Sequence, residues 1–378
     1  MSINLQVTYG GAGTGKTYEL VNDVKKSKST SYVILSPTHS SLRNLKDRLT
    51  IEQRDHARTV YSYFQIDYEN DYVIGPLKIV KDVFIDEFGL IKKKLFKQII
   101  NKTSVALHKF ISEYRIPDFD ITFHIYGDPV QLSPIYTKQR KISFDKLAKY
   151  DMQHYYVIEH DYNCLFSLKI VQDAAKHLLT VNHRANDAVI DIVKRLFYDN
   201  DLSVITYTNQ MEVARLIVNE GYVFISSKYE FHTQIYKLVQ SLIISTLTEP
   251  YITKDDLLFY PNSRFLVSET TSQHKNGEYL TFDHIKSNIV YLKDESGSVF
   301  EYDSRLKILP EFLITAHKSQ GLTIPKVIVC TDNLFDVSML YTMITRASED
   351  VKFFCINKPD LEDYISRFRD ILQFYGYI

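Results

Sequence analysis

Residues Gly10 to Thr17 read GGAGTGKT, in the order G-x-x-x-x-G-K-T, directly after the run INLQVTY. No other feature narrows the fold as much. Four glycines in six positions (Gly10, Gly11, Gly13 and Gly15) are costly to order, because glycine loses the most backbone freedom on folding. Such a stretch is kept where bare backbone must approach something closely. With a strand before it and the helical pattern TYELVNDVKK after it, it reads as a phosphate-cradling loop. Successive N–H groups and the positive end of the helix dipole would face one anion. Gly11, Ala12, Gly13, Thr14 and Gly15 supply the cradle. Lys16 reaches the terminal phosphates of a nucleotide, and Thr17 offers its hydroxyl to Mg²⁺.

Short β-branched runs recur along the chain: YVILSPT, VFIDEF, ITFHIY, FLITAH, KVIVCTD and VKFFCIN. Helical patterns lie between many of them, which predicts an α/β fold with parallel sheets covered on both faces. Ligands in such sheets bind past the carboxyl ends of the strands. At 378 residues the chain is long enough for two domains. The first is expected over residues 1–160, with a protruding hairpin at 63–80. The second takes 161–261 and 311–378. Between them, residues 262–310 alternate with turns at Asn276-Gly277 and Gly297, which predicts a small antiparallel β insertion.

A net charge of −1 announces no nucleic-acid partner by composition. Any basic track is local, as in the stretch from Lys25 to Arg58. No apolar run approaches a membrane span, and MSINLQV lacks the pattern of a signal peptide. Cys164, Cys330 and Cys355 are widely spaced and odd in number, which suggests reduced thiols and a cytoplasmic protein.

The remaining chemistry-bearing residues fall past strand ends. Asp86 in VFIDEFG can hold a Mg²⁺ ion, and Glu87 beside it can take a proton from attacking water. Gln131 in YGDPVQLSPI is an uncharged group suited to orienting that water. Arg184 in TVNHRAND and Arg346 in LYTMITRASED can neutralise charge that develops in phosphoryl transfer.

Taken in order, these segments resemble the superfamily 1 helicases over residues 10 to 350. GGAGTGKT resembles motif I, IDEF motif II, GDPVQLSPI motif III, NHRAND motif IV, ITAHKSQGLTIPKVIV motif V and YTMITRA motif VI. LSPTHSSLRNL and ARTVYSYF resemble motifs Ia and Ib of the RecD-like branch, superfamily 1B, with Tyr61 where that branch often has histidine. The inserted β unit, with KNGE at Lys275 to Glu278, resembles that branch's small β-barrel.

The resemblance implies two RecA-like domains with ATP and Mg²⁺ in the cleft between them. Lys16, Thr17, Asp86, Glu87 and Gln131 would come from the first domain, and Arg184, Gly321 and Arg346 from the second. It implies ATP-dependent translocation on single-stranded DNA and unwinding of forked duplex DNA, 5′ to 3′, with replication or recombination proteins as partners. Thr38, His39 and Tyr61 would line the strand's path in the first domain, and Thr315, His317 and Ser319 in the second. A viral-type RNA helicase and a nucleotide-switched binding module are the alternative readings. Relatives usually place an adenine-reading glutamine upstream of motif I. Here Gln6 falls inside the first strand, so relaxed base selection is expected.

Overall fold

The computed structural model describes residues 2–27, 31–67, 72–73, 79–115, 119–132 and 164–378. The chain divides into two compact units, Met1–Arg184 with Glu362–Ile378, and Ala185–Leu361. Both are RecA-like α/β units built on parallel sheets, as expected. Among the described residues no helix is long and apolar enough to cross a membrane.

The first unit contains β1 (Ile3–Gly10), β2 (Tyr32–Ser36), β3 (Ala57–Thr59), β4 (Ile66–Asp67), β5 (Tyr72–Val73), β6 (Asp82–Ile85), β7 (Ile121–Gly127) and β8 (Ala175–Leu179). Six of them form one sheet in the order β3-β2-β6-β7-β1-β8, with every pairing parallel. Its strands are continuous apolar runs because both faces are covered. Alternation still sorts the two faces. Val33, Leu35, Val83 and Ile85 enter one core cluster, while Ile34 and Phe84 enter the other. Leu20, Val21 and Val24 of helix Lys16–Lys26 cover that second face. Fully burying each such side chain contributes about 1.5–3 kcal/mol. The glycine-rich loop therefore leaves β1, a strand paired on both sides, and enters a helix anchored on the core.

Strand β8 corrects the expected boundary at residue 160. It pairs with β1 in the register Gln6↔Ala175 to Gly10↔Leu179, so residues 164–184 belong to the first unit and not the second. The last seventeen residues, from Glu362, also join the first unit. The strand was hidden because AKHLL sits at a sheet edge, with three of its five side chains exposed. Of the expected hairpin at 63–80, β4 and β5 pair antiparallel, Ile66 with Val73. The rest of that segment, at 68–71 and 74–78, lies outside the described residues. Gln6 lies within β1, as its position in the sequence implied, and its side chain is exposed.

The second unit contains β9 (Tyr207–Thr208), β10 (Val223–Ser226), β11 (Ile252–Lys254), β12 (Leu257–Phe259), β13 (Arg264–Val267), β14 (Tyr279–Lys286), β15 (Ile289–Lys293), β16 (Val299–Glu301), β17 (Ile308–Pro310), β18 (Leu313–Thr315), β19 (Ile324–Cys330) and β20 (Ala347–Phe354). A parallel sheet runs β18-β10-β19-β20-β9. The insertion is a separate antiparallel sheet, β16-β15-β14-β13-β17. Its core holds Phe259, Phe265, Leu280, Val290 and Ile308, with Ile252 and Leu257 packed against it. The insertion's packing thus begins about ten residues before the expected start at 262. Gly277 and Gly297 adopt positive φ as turn glycines should. The β14–β15 turn instead uses Ser287 and Asn288, both at positive φ, a pair without the usual glycine signal.

Candidate functional site

The glycine-rich loop has the conformation that its composition demands. Gly13 and Gly15 sit at φ of +79° and +88°, where side chains are disfavoured. Gly15 caps helix Lys16–Lys26. Lys16 Nζ donates to the carbonyls of Gly10 and Gly11 at 2.8 and 2.7 Å, so the ammonium lies over the loop. Thr17 Oγ1 donates to Asp86 Oδ2 at 2.9 Å. That bond joins the helix after β1 to the end of β6 and brings together two residues 69 positions apart.

Asp86 is buried, and burial, reinforced by the charge of Glu87, pushes its carboxyl up to about 6. Lys16 and the Thr17 hydroxyl oppose that shift. Thr17 and Asp86 are hard oxygen donors, and a buried carboxylate facing a hydroxyl is a donor set that fits Mg²⁺. Glu87 holds a left-handed backbone, φ +48° and ψ +42°, which is unusual for a residue with a side chain. Local strain of this kind concentrates at functional sites. Here it starts the short helix Phe88–Leu90 and turns the chain sharply after the strand.

Gln131 is buried, and its Nε2 donates to Asp128 Oδ2 at 2.9 Å. Asp128 Oδ1 accepts from the Val130 N–H and the Tyr377 hydroxyl, each at 3.1 Å. Burial raises the Asp128 carboxyl, while the charge of Lys16 and these donors act against the rise. One carboxylate therefore fixes the glutamine amide and is itself held from residue 377. The remainder of the YGDPVQLSPI loop, from Ser133 onward, lies outside the described residues.

Arg184 was expected from the second domain, but it belongs to the first unit. Its segment clamps the glycine loop. Asn182 Nδ2 donates to the Ala12 carbonyl at 3.0 Å, and the His183 N–H to the Gly13 carbonyl at 2.8 Å. Asn182 Oδ1 in turn accepts from the Arg184 N–H at 2.9 Å. A Cβ on Gly13 would stand 2.7 Å from Asn182 Oδ1 and 2.9 Å from Arg184 Cβ.

Among the expected strand-facing residues of the first unit, Thr38 is exposed just past β2. It caps helix His39–Lys46 in a reciprocal capping box with Ser41. His39 begins that helix, and Tyr61 is half-buried just past β3. In the second unit, Thr315 is the last residue of β18 and is buried, and His317 follows it, half-buried. Ser319 departs from expectation. It is fully buried and its hydroxyl donates to the Ala316 carbonyl at 2.7 Å, so it shapes the turn and faces no solvent. Gly321 follows at φ +79°. Arg346 is 1% exposed, with Nε donating to the Thr342 carbonyl at 3.0 Å and Nη2 to Thr345 Oγ1 at 3.3 Å. Its carbonyl accepts from the Ile324 N–H at 3.0 Å, which ties the residue before β20 to the start of β19.

Asp128, Asn182, His183 and Tyr377 were not singled out from the sequence. The first three stand inside quoted motifs, GDPVQ and NHRAND, where attention went to neighbouring residues. Tyr377 had no local signal, because its partner is 249 positions away.

No family model matches the sequence, and no curated protein matches it. Solved structures do resemble the chain. A structure of Pif1 helicases that coordinate in unwinding forked double-stranded DNA has a TM-score of 0.61 at 16% identity, covering 99% of this chain and 94% of that one. Pif1 from Candida albicans gives 0.60 at 13% identity, over 99% and 95% of the two chains. Bacteroides Pif1 in complex with ADP-AlF3 and single-stranded DNA gives 0.56 at 17%, over 97% and 94%. At these identities it is the fold that is shared, two RecA-like units and a small inserted sheet, as in the Pif1 helicases.

Proposed function

We propose that the chain is an ATP-dependent single-stranded DNA translocase and DNA helicase that moves 5′ to 3′. The observation that carries this reading is the Thr17–Asp86 hydrogen bond at 2.9 Å beneath the lysine-bearing glycine loop, with Glu87 next in sequence. A loop that only bound nucleotide would need no second carboxylate there. Lys16 and the loop N–H groups hold the phosphates. Glu87 takes the proton of the attacking water, and Gln131, fixed by Asp128, orients that water. Bound between Thr17 and Asp86, Mg²⁺ would supply charge neutralisation at the phosphates. Arg184 and Arg346 are the candidates for neutralising charge on the transferred group, with Gly321 beside the nucleotide. Thr38, His39, Tyr61, Thr315 and His317 contact the strand. Pif1 structures with single-stranded DNA, forked DNA and ADP-AlF3 support the same assignment of partners and cofactor here.

The test is steady-state ATP hydrolysis with and without oligothymidylate, beside Lys16→Ala. Strong stimulation by the strand, abolished in the variant, is expected. Stronger stimulation by oligouridylate would move the substrate to RNA. Slow turnover indifferent to either strand would replace the motor with a nucleotide-switched binder. Normal turnover by Lys16→Ala would overturn the phosphate-loop assignment itself.

A further inference from the structure

Strands β18, β10 and β19 are neighbours in the second sheet, run parallel and end at one edge. Each is followed within a few residues by a ring: His317 after β18, Tyr229 after β10 and Phe335 after β19. Phe335 is 57% exposed and Tyr229 42% exposed. These rings are braced. His317 and Phe335 stack with centroids 6.2 Å apart and planes 13° from parallel. Tyr229 stands edge-on to buried His232 at 5.3 Å. Ser227 Oγ donates to the Asp332 carbonyl at 3.0 Å, and Asn333 Nδ2 to Glu230 Oε1 at 3.4 Å, so the loops after β10 and β19 are tied together. Lys318 Nζ lies 5.9 Å from the Tyr229 centroid and donates to the Ser268 carbonyl at 3.2 Å.

Holding large rings out in water forgoes the free energy that burying them would give. A protein partner would recover it by covering a contiguous apolar patch. Here the neighbours of the rings along the chain include Lys228 and Asn333, both exposed, and half-buried Asp336. Flat π faces separated by polar groups match unpaired nucleobases, which stack on aromatic side chains with little regard to sequence. We propose that Tyr229, His317 and Phe335 form a stacking platform for unpaired bases at the carboxyl end of the second sheet, with Phe335 as its outer ring. The platform rests on the single-strand reading above and adds two residues to it. Lys228 already pairs with Glu230, 3.7 Å away, and Asp336 lies near His317. Local charge is therefore nearly balanced, and the grip comes from stacking more than from counterion release, so Phe335's share depends weakly on salt.

The chain contains no tryptophan, so Phe335→Trp places a single fluorescent reporter at the site. The experiment titrates the full chain with fluorescein-labelled oligothymidylate by anisotropy, for wild type, Phe335→Ala, Phe335→Leu and Phe335→Trp, and follows tryptophan emission in the last. Wild-type binding is expected, weakened about 5- to 150-fold in both the alanine and the leucine variants. The tryptophan variant should keep its affinity and show saturable quenching. Its quenching should disappear with an abasic oligonucleotide of the same length. If wild type binds the strand while Phe335→Ala binds equally well and tryptophan emission does not change, the platform is wrong and the single-strand reading stands. If wild type binds no strand at all, that reading falls and takes the platform with it. Wild-type-like binding by Phe335→Leu beside a weak Phe335→Ala would make the site a simple apolar contact and would also overturn stacking.

Discussion

Gly13→Ala tests whether the glycine loop and the Asn182–Arg184 segment act as one unit. The structure supplies two separate costs. At φ +79° an alanine meets the left-handed penalty of about 1–2 kcal/mol. Its methyl group would also stand 2.7 Å from Asn182 Oδ1 and 2.9 Å from Arg184 Cβ, both well inside contact distance. Asn182 must give way, and its bonds to Ala12 and Arg184 are at stake. Each such bond is worth about 0.5–1.5 kcal/mol net, which brings the total to roughly 2–5 kcal/mol. Gly221→Ala isolates the first cost. Its φ is +71°, but no heavy atom lies within 4 Å of the added Cβ. Calorimetric melting and nucleotide binding of both variants, beside wild type, read the difference. Gly13→Ala should lower the melting of its unit by several degrees more than Gly221→Ala lowers its own, since 1 kcal/mol moves a unit of this size by about 2–4 °C. It should also weaken nucleotide binding, whereas Gly221→Ala should not. Equal melting shifts together with wild-type nucleotide affinity in Gly13→Ala would refute the clamp.

Other residues give further tests. Tyr377→Phe removes one of three donors to Asp128 while leaving Gln131's bond in place. Because Tyr377 acts through Asp128 and Gln131, strand-stimulated kcat should fall with little change in the KM for ATP. A rise in KM with unchanged kcat would assign Tyr377 to nucleotide binding. Stability should also respond to pH at His232, where burial lowers the imidazole to about 4. Above pH 6.5 the ring is neutral whether folded or unfolded and costs nothing. Between about 6.5 and 4 the unfolded chain takes a proton that the folded one refuses, so stability falls with pH by up to roughly 3 kcal/mol. His232→Gln should flatten that part of the wild-type melting profile, and parallel profiles would rule out His232 as the cause. Its Nε2 faces Ser226 Oγ at 2.9 Å, so the variant's melting point at pH 8 provides the baseline for lost packing.

The part of the site that could be read from the sequence is the part built by local rules. A cradle of backbone N–H groups needs glycines next to one another, a lysine and a threonine at fixed offsets, and a helix to follow, so eight consecutive residues announce it. Asp86 and Glu87 were legible because a pair of carboxylates closing a strand of apolar residues breaks the burial pattern that the strand sets. What could not be read depends on pairings between distant segments. AKHLL looks too polar for a sheet, and only its register against β1 brings NHRAND onto the glycine loop and moves Arg184 from one unit to the other. Ser319 looked available because motif spacing fixes position along the chain, while burial fixes which way a hydroxyl points. The three rings past β18, β10 and β19 are 106 residues apart at their extremes, from Tyr229 to Phe335, and belong to three different sequence neighbourhoods. No local pattern joins them, since adjacency in a parallel sheet follows from the crossovers between strands. The chemistry of phosphate is therefore written in short runs, whereas an extended surface for a strand is written in strand order, which emerges only when the sheet is assembled.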